Sequence, residues 1–136
     1  MGRIISKVII LALAVVSCTP DPIDLPASID AKVFKEDRGG CKDERMVYQK
    51  ALEKNKDLFL THTENEVLAT IGRYDFQVLE PKNQKVFVYF LESGPHCEQI
   101  QNESEAMTMA IFFNATSLAK EVTFQKGIPS VGFFSK

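Results

Sequence analysis

Positive charge, glycine, histidine and cysteine are all scarce in this chain, and each shortage excludes something. The 136 residues carry 16 Lys and Arg against 18 Asp and Glu, for a formal net charge of −2. Non-specific nucleic-acid binding needs a cationic face that displaces counterions from phosphate, so no nucleic-acid partner is expected. The 7 Gly include no Gly-rich phosphate loop and no Walker pattern. With 2 His and 3 Cys, few atoms remain for metal or nucleophile chemistry. A binding or scaffolding role is therefore expected over an enzymatic one, with no cofactor, no metal and no small-molecule substrate. What the chain does have is 45% hydrophobic and 25% charged residues, the balance of a single folded domain.

No apolar run is long enough to span a bilayer. Arg3 and Lys7 precede the uncharged stretch Val8–Val16, which reaches only ~14 Å at ~1.5 Å per residue, against a hydrocarbon core of ~30 Å. A basic segment, a short apolar segment and a processing region in that order are the pattern of a secretion signal. The processing region, Val15-Val16-Ser17-Cys18, resembles the lipobox of bacterial lipoproteins. That resemblance implies a signal peptide over residues 1–17 and a thioether-linked diacylglycerol, with acyl chains such as palmitate, on Cys18. Several buried acyl chains anchor stably, since each CH₂ contributes ~0.8 kcal/mol. Thr19, where an Asp would favour inner-membrane retention, implies an outer-membrane destination, on the periplasmic side. Losing Arg3 and Lys7 takes the mature chain from −2 to −4.

Residues 18–27 hold Pro20, Pro22 and Pro26 and read as an extended tether of about 25–30 Å, because proline fixes φ and lacks a donor. Residues 28–136 read as one domain. Ser28 is expected to cap a helix from Ile29 to about Arg38, stopped by Gly39-Gly40. Lys42 to about Leu60 has the strongest helical period, with Val47, Ala51, Leu52, Leu58 and Phe59 inward. Thr63-Glu64-Asn65-Glu66 matches a capping box, followed by a helix with Val67, Leu68 and Ile71 inward and Gly72 as its stop. The period then changes. Strands are expected at Phe76–Leu79, Lys85–Leu91, Met107–Phe113 and Ala119–Gln125, with turns at 80–83 and 114–117. Helices first and strands second make an α+β fold, two or three N-terminal helices packed on a three- to four-stranded antiparallel meander.

From Glu64 to about Gln125 the chain resembles the SmpA/OmlA (BamE-like) family of outer-membrane lipoproteins. The resemblance rests on Glu66-Val67, Ile71-Gly72-Arg73-Tyr74-Asp75, Val86–Leu91, Met109–Asn114 and Lys120–Phe124. Ile71 stands where that family has Leu, Tyr74 where it has Pro, and the turn Asn114-Ala-Thr-Ser lacks the usual Gly. Gly40-Cys41 with Arg45, and Gly94-Pro-His-Cys97, resemble a cysteine-containing Bacteroidetes branch of such lipoproteins. The family implies a periplasmic accessory of the machine that assembles β-barrel proteins into the outer membrane, acting by binding an envelope protein partner. A protein-binding module like the β-lactamase-inhibitor domains, of similar architecture, is the alternative.

With Cys18 acylated in an oxidising compartment, Cys41 and Cys97 are expected to form one disulfide. No Cys-x-x-Cys redox pair is present. His96 is expected to be a surface histidine. Adjacent residues of an extended chain point to opposite sides, so His96 and Cys97 should not meet. A Cys41/His62/His96/Cys97 zinc set has the ligand types without paired short spacings. The stretch Glu92–Ala106 holds Glu92, Glu98, Glu103 and Glu105 and no Lys or Arg. It reads either as a solvated loop or as an acidic docking surface for a basic partner. The C-terminal stretch, with Ile128, Val131, Phe133 and Phe134, either packs back on the domain or contacts a partner.

Overall fold

A computed structural model describes residues 14–130. The basic start of the chain, most of its apolar run, and Phe133 and Phe134 lie outside the described residues. Among the described residues no helix is long and apolar enough to cross a membrane.

Three short helices, α1 (Ala31–Glu36), α2 (Gln49–Lys54) and α3 (Glu64–Ile71), precede four strands, β1 (Phe76–Glu80), β2 (Gln84–Phe90), β3 (Met107–Phe113) and β4 (Ala119–Lys126). The strands form one antiparallel meander in the order β1-β2-β3-β4. This is the expected α+β fold, with strand bounds within a residue of those read from the sequence.

The helices differ more. α1 begins at Ala31, because Asp30 and not Ser28 is its cap: the Asp30 carboxylate accepts from the N–H groups of Lys32 and Val33. The long helix expected over Lys42–Leu60 is three pieces, 3₁₀ turns at Arg45–Tyr48 and Lys56–Phe59 on either side of α2. Asn55 ends α2, its side-chain amide donating to the Ala51 carbonyl at 2.8 Å. A 3₁₀ turn advances 3.0 residues per turn instead of 3.6, so the apolar stripe slips. Leu52 and Phe59 are buried as expected, but Val47 is 73% exposed and Leu58 41%.

α3 is where sequence and structure agree most closely. The Thr63 hydroxyl accepts from the Glu66 N–H, and the Glu66 carboxylate accepts from the Thr63 N–H at 2.7 Å. Gly72 stops the helix at φ 83°, a left-handed value that a Cβ would strain. The Thr63 bonds hold the Glu66 carboxyl below its ordinary 4.5. Its contribution is therefore present above that value and lost as pH falls through the lowered one. We expect Thr63→Ala to cost about 1 kcal/mol in urea unfolding at neutral pH, and the difference from wild type to shrink in acid.

The main core lies between the helices and one sheet face. Phe34, Leu52, Phe59, Val67 and Ile71 meet Phe87, Tyr89, Met109, Ile111, Phe113 and Val122. The Phe87 ring packs between Tyr74 and Phe113, with centroids 4.4 and 4.6 Å away. The other sheet face carries a second, smaller cluster of Val86, Val88 and Ala110. Two apolar faces explain why β2 reads as a continuous hydrophobic run and not as an alternating one.

The tether is shorter than the proline pattern suggests. Ile23 is buried against the main core, and its N–H donates to the Thr70 hydroxyl at 2.7 Å. The Thr70 hydroxyl donates in turn to the Glu66 carbonyl. Leu25 also packs on the core. The extended, exposed lead therefore ends at Pro22 rather than Ala27, because two apolar side chains between the prolines find the groove beside α3.

Candidate functional site

Two features could carry function: the exposed cysteine ahead of the domain, and the corner where α1, the chain before α2, and the ends of β1 and β2 meet. Cys18 is a free, exposed thiol, five positions before Ile23. The first fixed point of the domain is thus almost adjacent to the residue whose sequence context resembles a lipobox.

The corner is built around buried charge. Asp37, just after α1, is fully buried. Its carboxylate accepts from the N–H groups of Lys42, Glu44 and Arg45, at 2.8, 2.9 and 3.1 Å. This folds residues 37–45 into a tight loop and turns the Arg45 side chain inward. Arg45 is also fully buried. Its Nε donates to the Phe34 carbonyl at 2.8 Å, and its Nη1 to Asp75 Oδ2 at 2.6 Å and to the Phe90 carbonyl at 3.0 Å. The guanidinium carbon lies 4.5 Å from the Phe34 ring centroid, so the cation also faces an aromatic surface. Asp75 completes the hub. Besides Arg45 it accepts from the N–H groups of Gly39 and Phe90, both at 2.9 Å. Burial, with Asp75 nearby, pushes the Tyr89 phenol well above its ordinary value. It stays neutral and donates to the Gly72 carbonyl at 2.8 Å.

Beside this hub the sulfurs of Cys41 and Cys97 are bonded at 2.02 Å, which joins the loop after α1 to the turn Pro95–Cys97. His96 is not at the surface. It is buried, stacked on Phe90 with centroids 3.6 Å apart, and held through Nδ1 to the Ser104 hydroxyl and through Nε2 to the Gly39 carbonyl, at 2.9 and 2.7 Å. The expected separation of neighbours fails as well, since Cys97 Sγ lies 3.5 Å from His96 Nε2. The cause is local. Residues 95–97 form a 3₁₀ turn, so the alternation of an extended strand does not apply. Cys41, His96 and Cys97 place ligand-type atoms within 4.8 Å of one another, without His62, which pairs with Glu66 at 3.4 Å. With both sulfurs in the disulfide, neither is a thiolate that could ligate a metal or attack a substrate.

The four glutamates of 92–106 do not act as one surface. Glu92 is half-buried and accepts from the Met107 N–H at 2.8 Å, closing the start of β3. Glu98, Glu103 and Glu105 are exposed. Glu103 and Glu105 line a cleft of about 660 Å³ together with Phe76, Ile100, Gly127 and Ile128. The loop is also more ordered than its composition suggests. Asn102 donates to the Pro95 carbonyl, and Asp43 accepts from the Ser93 N–H and hydroxyl.

Sequence reasoning missed the Asp37–Arg45–Asp75 hub. A signal was present: an Arg followed by Met46-Val47, and an Asp directly before a strand, are charges at the edges of apolar segments. No family model, no curated protein and no solved structure matches the chain.

Proposed function

We propose that the chain is a lipid-anchored envelope lipoprotein whose α+β domain works by binding a protein partner, at the periplasmic side of an outer membrane, as an accessory of β-barrel assembly. The observation that carries the anchoring is the position of Cys18. It is exposed, preceded by a basic and then an apolar segment, and followed by only four residues before Ile23 is tied to α3. Four extended residues span roughly 13–14 Å, so acyl chains on Cys18 would hold the domain close against the headgroups. The binding role is supported by the corner just described. Asp37 closes its own loop, Arg45 and Asp75 tie that loop to the end of β2, and the disulfide joins it to the 95–97 turn, so the corner is cross-linked from several directions. The assembly role rests on the resemblance of Glu64–Gln125 to the SmpA/OmlA lipoproteins and on the order of elements.

Cells fed an alkyne fatty acid should yield labelled wild-type chain and unlabelled Cys18→Ser, with the wild type fractionating with membranes. An unlabelled wild type, or one recovered wholly with the cytosol, overturns the anchoring. In-cell crosslinking followed by mass spectrometry should recover components of the barrel-assembly complex. Their absence among the crosslinked neighbours overturns the accessory role.

A further inference from the structure

The bridge between Cys41 and Cys97 has the surroundings of a reactive disulfide. Exchange with a thiol needs an accessible sulfur, a partner sulfur that can leave as thiolate, and a fold that survives while the bridge is open. Access is present. Both half-cystines are exposed, and they line a cleft of about 330 Å³ with Arg38, Gly39, Asp75, His96 and Ile100. Gly39 keeps this space open, since a Cβ there would stand 3.0 Å from Cys41 Sγ and 3.8 Å from His96 Nε2.

The leaving side is Cys97. His96 Nε2 lies 2.7 Å from the Gly39 carbonyl, which can only accept, so that nitrogen carries a proton. It also lies 3.5 Å from Cys97 Sγ. The protonated nitrogen has no lone pair for a metal, but its N–H can turn to a thiolate, which accepts more strongly than a carbonyl. Nδ1 faces the Ser104 hydroxyl at 2.9 Å. A hydroxyl donates or accepts, so the ring can gain a second proton and keep both partners. The charged residues lining the cleft are Arg38 and Asp75, and Asp75 is paired with buried Arg45 at 2.6 Å. Lys42 and Glu98 flank the two cysteines in sequence. The fold requirement is met by the contacts that join the same loops without sulfur, His96 to Gly39 and Asp43 to Ser93.

We propose that Cys41–Cys97 is a thiol–disulfide exchange site for a dithiol reductant. One thiolate of the dithiol attacks Cys41 Sγ and forms a mixed disulfide there. The Cys41–Cys97 bond breaks, and Cys97 leaves with its electron pair as a thiolate held by the His96 Nε2–H. The second thiolate of the dithiol then attacks its own half of the mixed disulfide and releases Cys41. Two electrons have passed: the dithiol is oxidised to a disulfide, the bridge is reduced to two thiols, and the two protons shed by the dithiol balance those two sulfurs. The exchange stands apart from membrane anchoring and from the binding partner.

Two measurements on the unsubstituted full chain decide. In the first, the folded protein meets excess glutathione, is quenched in acid and is then treated with maleimide. Peptide masses should place glutathione on Cys41 and maleimide on Cys97. In the second, the chain reduced by dithiothreitol without denaturant is labelled with iodoacetamide across a pH series. Cys97 should reach half-maximal labelling at least about one pH unit below Cys41, as a thiol beside an imidazole N–H does. His96→Phe keeps a ring on Phe90 and removes the N–H. It should bring the two labelling curves together and slow reduction by dithiothreitol about tenfold, since a less acidic thiol leaves more slowly. Glutathione found mainly on Cys97 overturns the assignment of the leaving sulfur. Two thiols that label together near the ordinary ~8.5, or a bridge reduced only in denaturant, overturn the exchange site and leave a purely structural disulfide.

Discussion

Replacing Arg45 with alanine should cost about 3–5 kcal/mol, much of a typical domain's margin of ~5–15 kcal/mol. The reason is what remains. Asp75, whose side chain is 3% exposed, would keep a full charge with no buried cation beside it, and the carbonyls of Phe34 and Phe90 would each lose a donor. Arg38 is no substitute. Its Nε lies 3.6 Å from Asp75, but its side chain is 58% exposed, and such a pair contributes under about 1 kcal/mol. Arg38→Ala should therefore be nearly neutral. Arg45→Lys should recover little, since one ammonium cannot hold Phe34, Asp75 and Phe90 in the fork geometry of a guanidinium. The sharper check is Arg45→Met combined with Asp75→Asn. The pair removes both charges, and an Asn carbonyl can still accept one of the two N–H groups of Gly39 and Phe90. A double variant more stable than Arg45→Met alone is the signature of a stranded charge. Urea midpoints with an unchanged m-value are the measurement. An Arg45→Ala loss below about 1 kcal/mol, inside the range of an exposed pair, would mean that the hub is not closed to water.

How far the sequence could lead depends on whether a feature is local. The capping box of α3 and the stop at Gly72 involve residues within one turn, and both are present as read. The strands were legible because β-branched and aromatic density needs no partner to be recognised, and the turns flanked them. The segment Lys42–Leu60 failed for the opposite reason. Its period counts Val47 and Leu58 as inward, yet both are exposed, and the residue buried at the start of the segment is Arg45, drawn in by Phe34, Asp75 and Phe90 from three distant parts of the chain. No spacing rule reports a charge whose partners lie 11, 30 and 45 positions away. The same applies to His96, whose place is set by Gly39, Phe90 and Ser104. Gly40 shows the limit from another side. Read as a helix stop, it is also a point of contact, where a Cβ would meet the Leu91 carbonyl carbon and the Glu92 nitrogen at 2.7 Å.

Removing the disulfide by Cys41→Ser with Cys97→Ser should cost about 4 kcal/mol, the chain-entropy value for a closed loop of roughly 57 residues. The fold should nevertheless persist, because the two loops are also joined without sulfur. His96 binds the Gly39 carbonyl, and Asp43 holds the backbone and hydroxyl of Ser93. The loss therefore falls mainly on the unfolded chain, which gains freedom, and near-UV dichroism of the native state should barely change. Both half-cystines are exposed, so dithiothreitol should reproduce the effect without prior denaturation. Alkylation of the unreduced protein should label neither Cys41 nor Cys97, and labelling of both would show that the bridge is absent. A loss near zero would mean that His96 and Asp43 already confine these loops in the denatured ensemble. The bridge and the hub share Gly39, whose N–H serves Asp75 while its carbonyl serves His96. The disulfide and Arg45 variants should therefore be non-additive, by about 0.5 kcal/mol or more. Combined, their losses approach the whole stability of a small domain, and the triple variant is expected to be unfolded at room temperature.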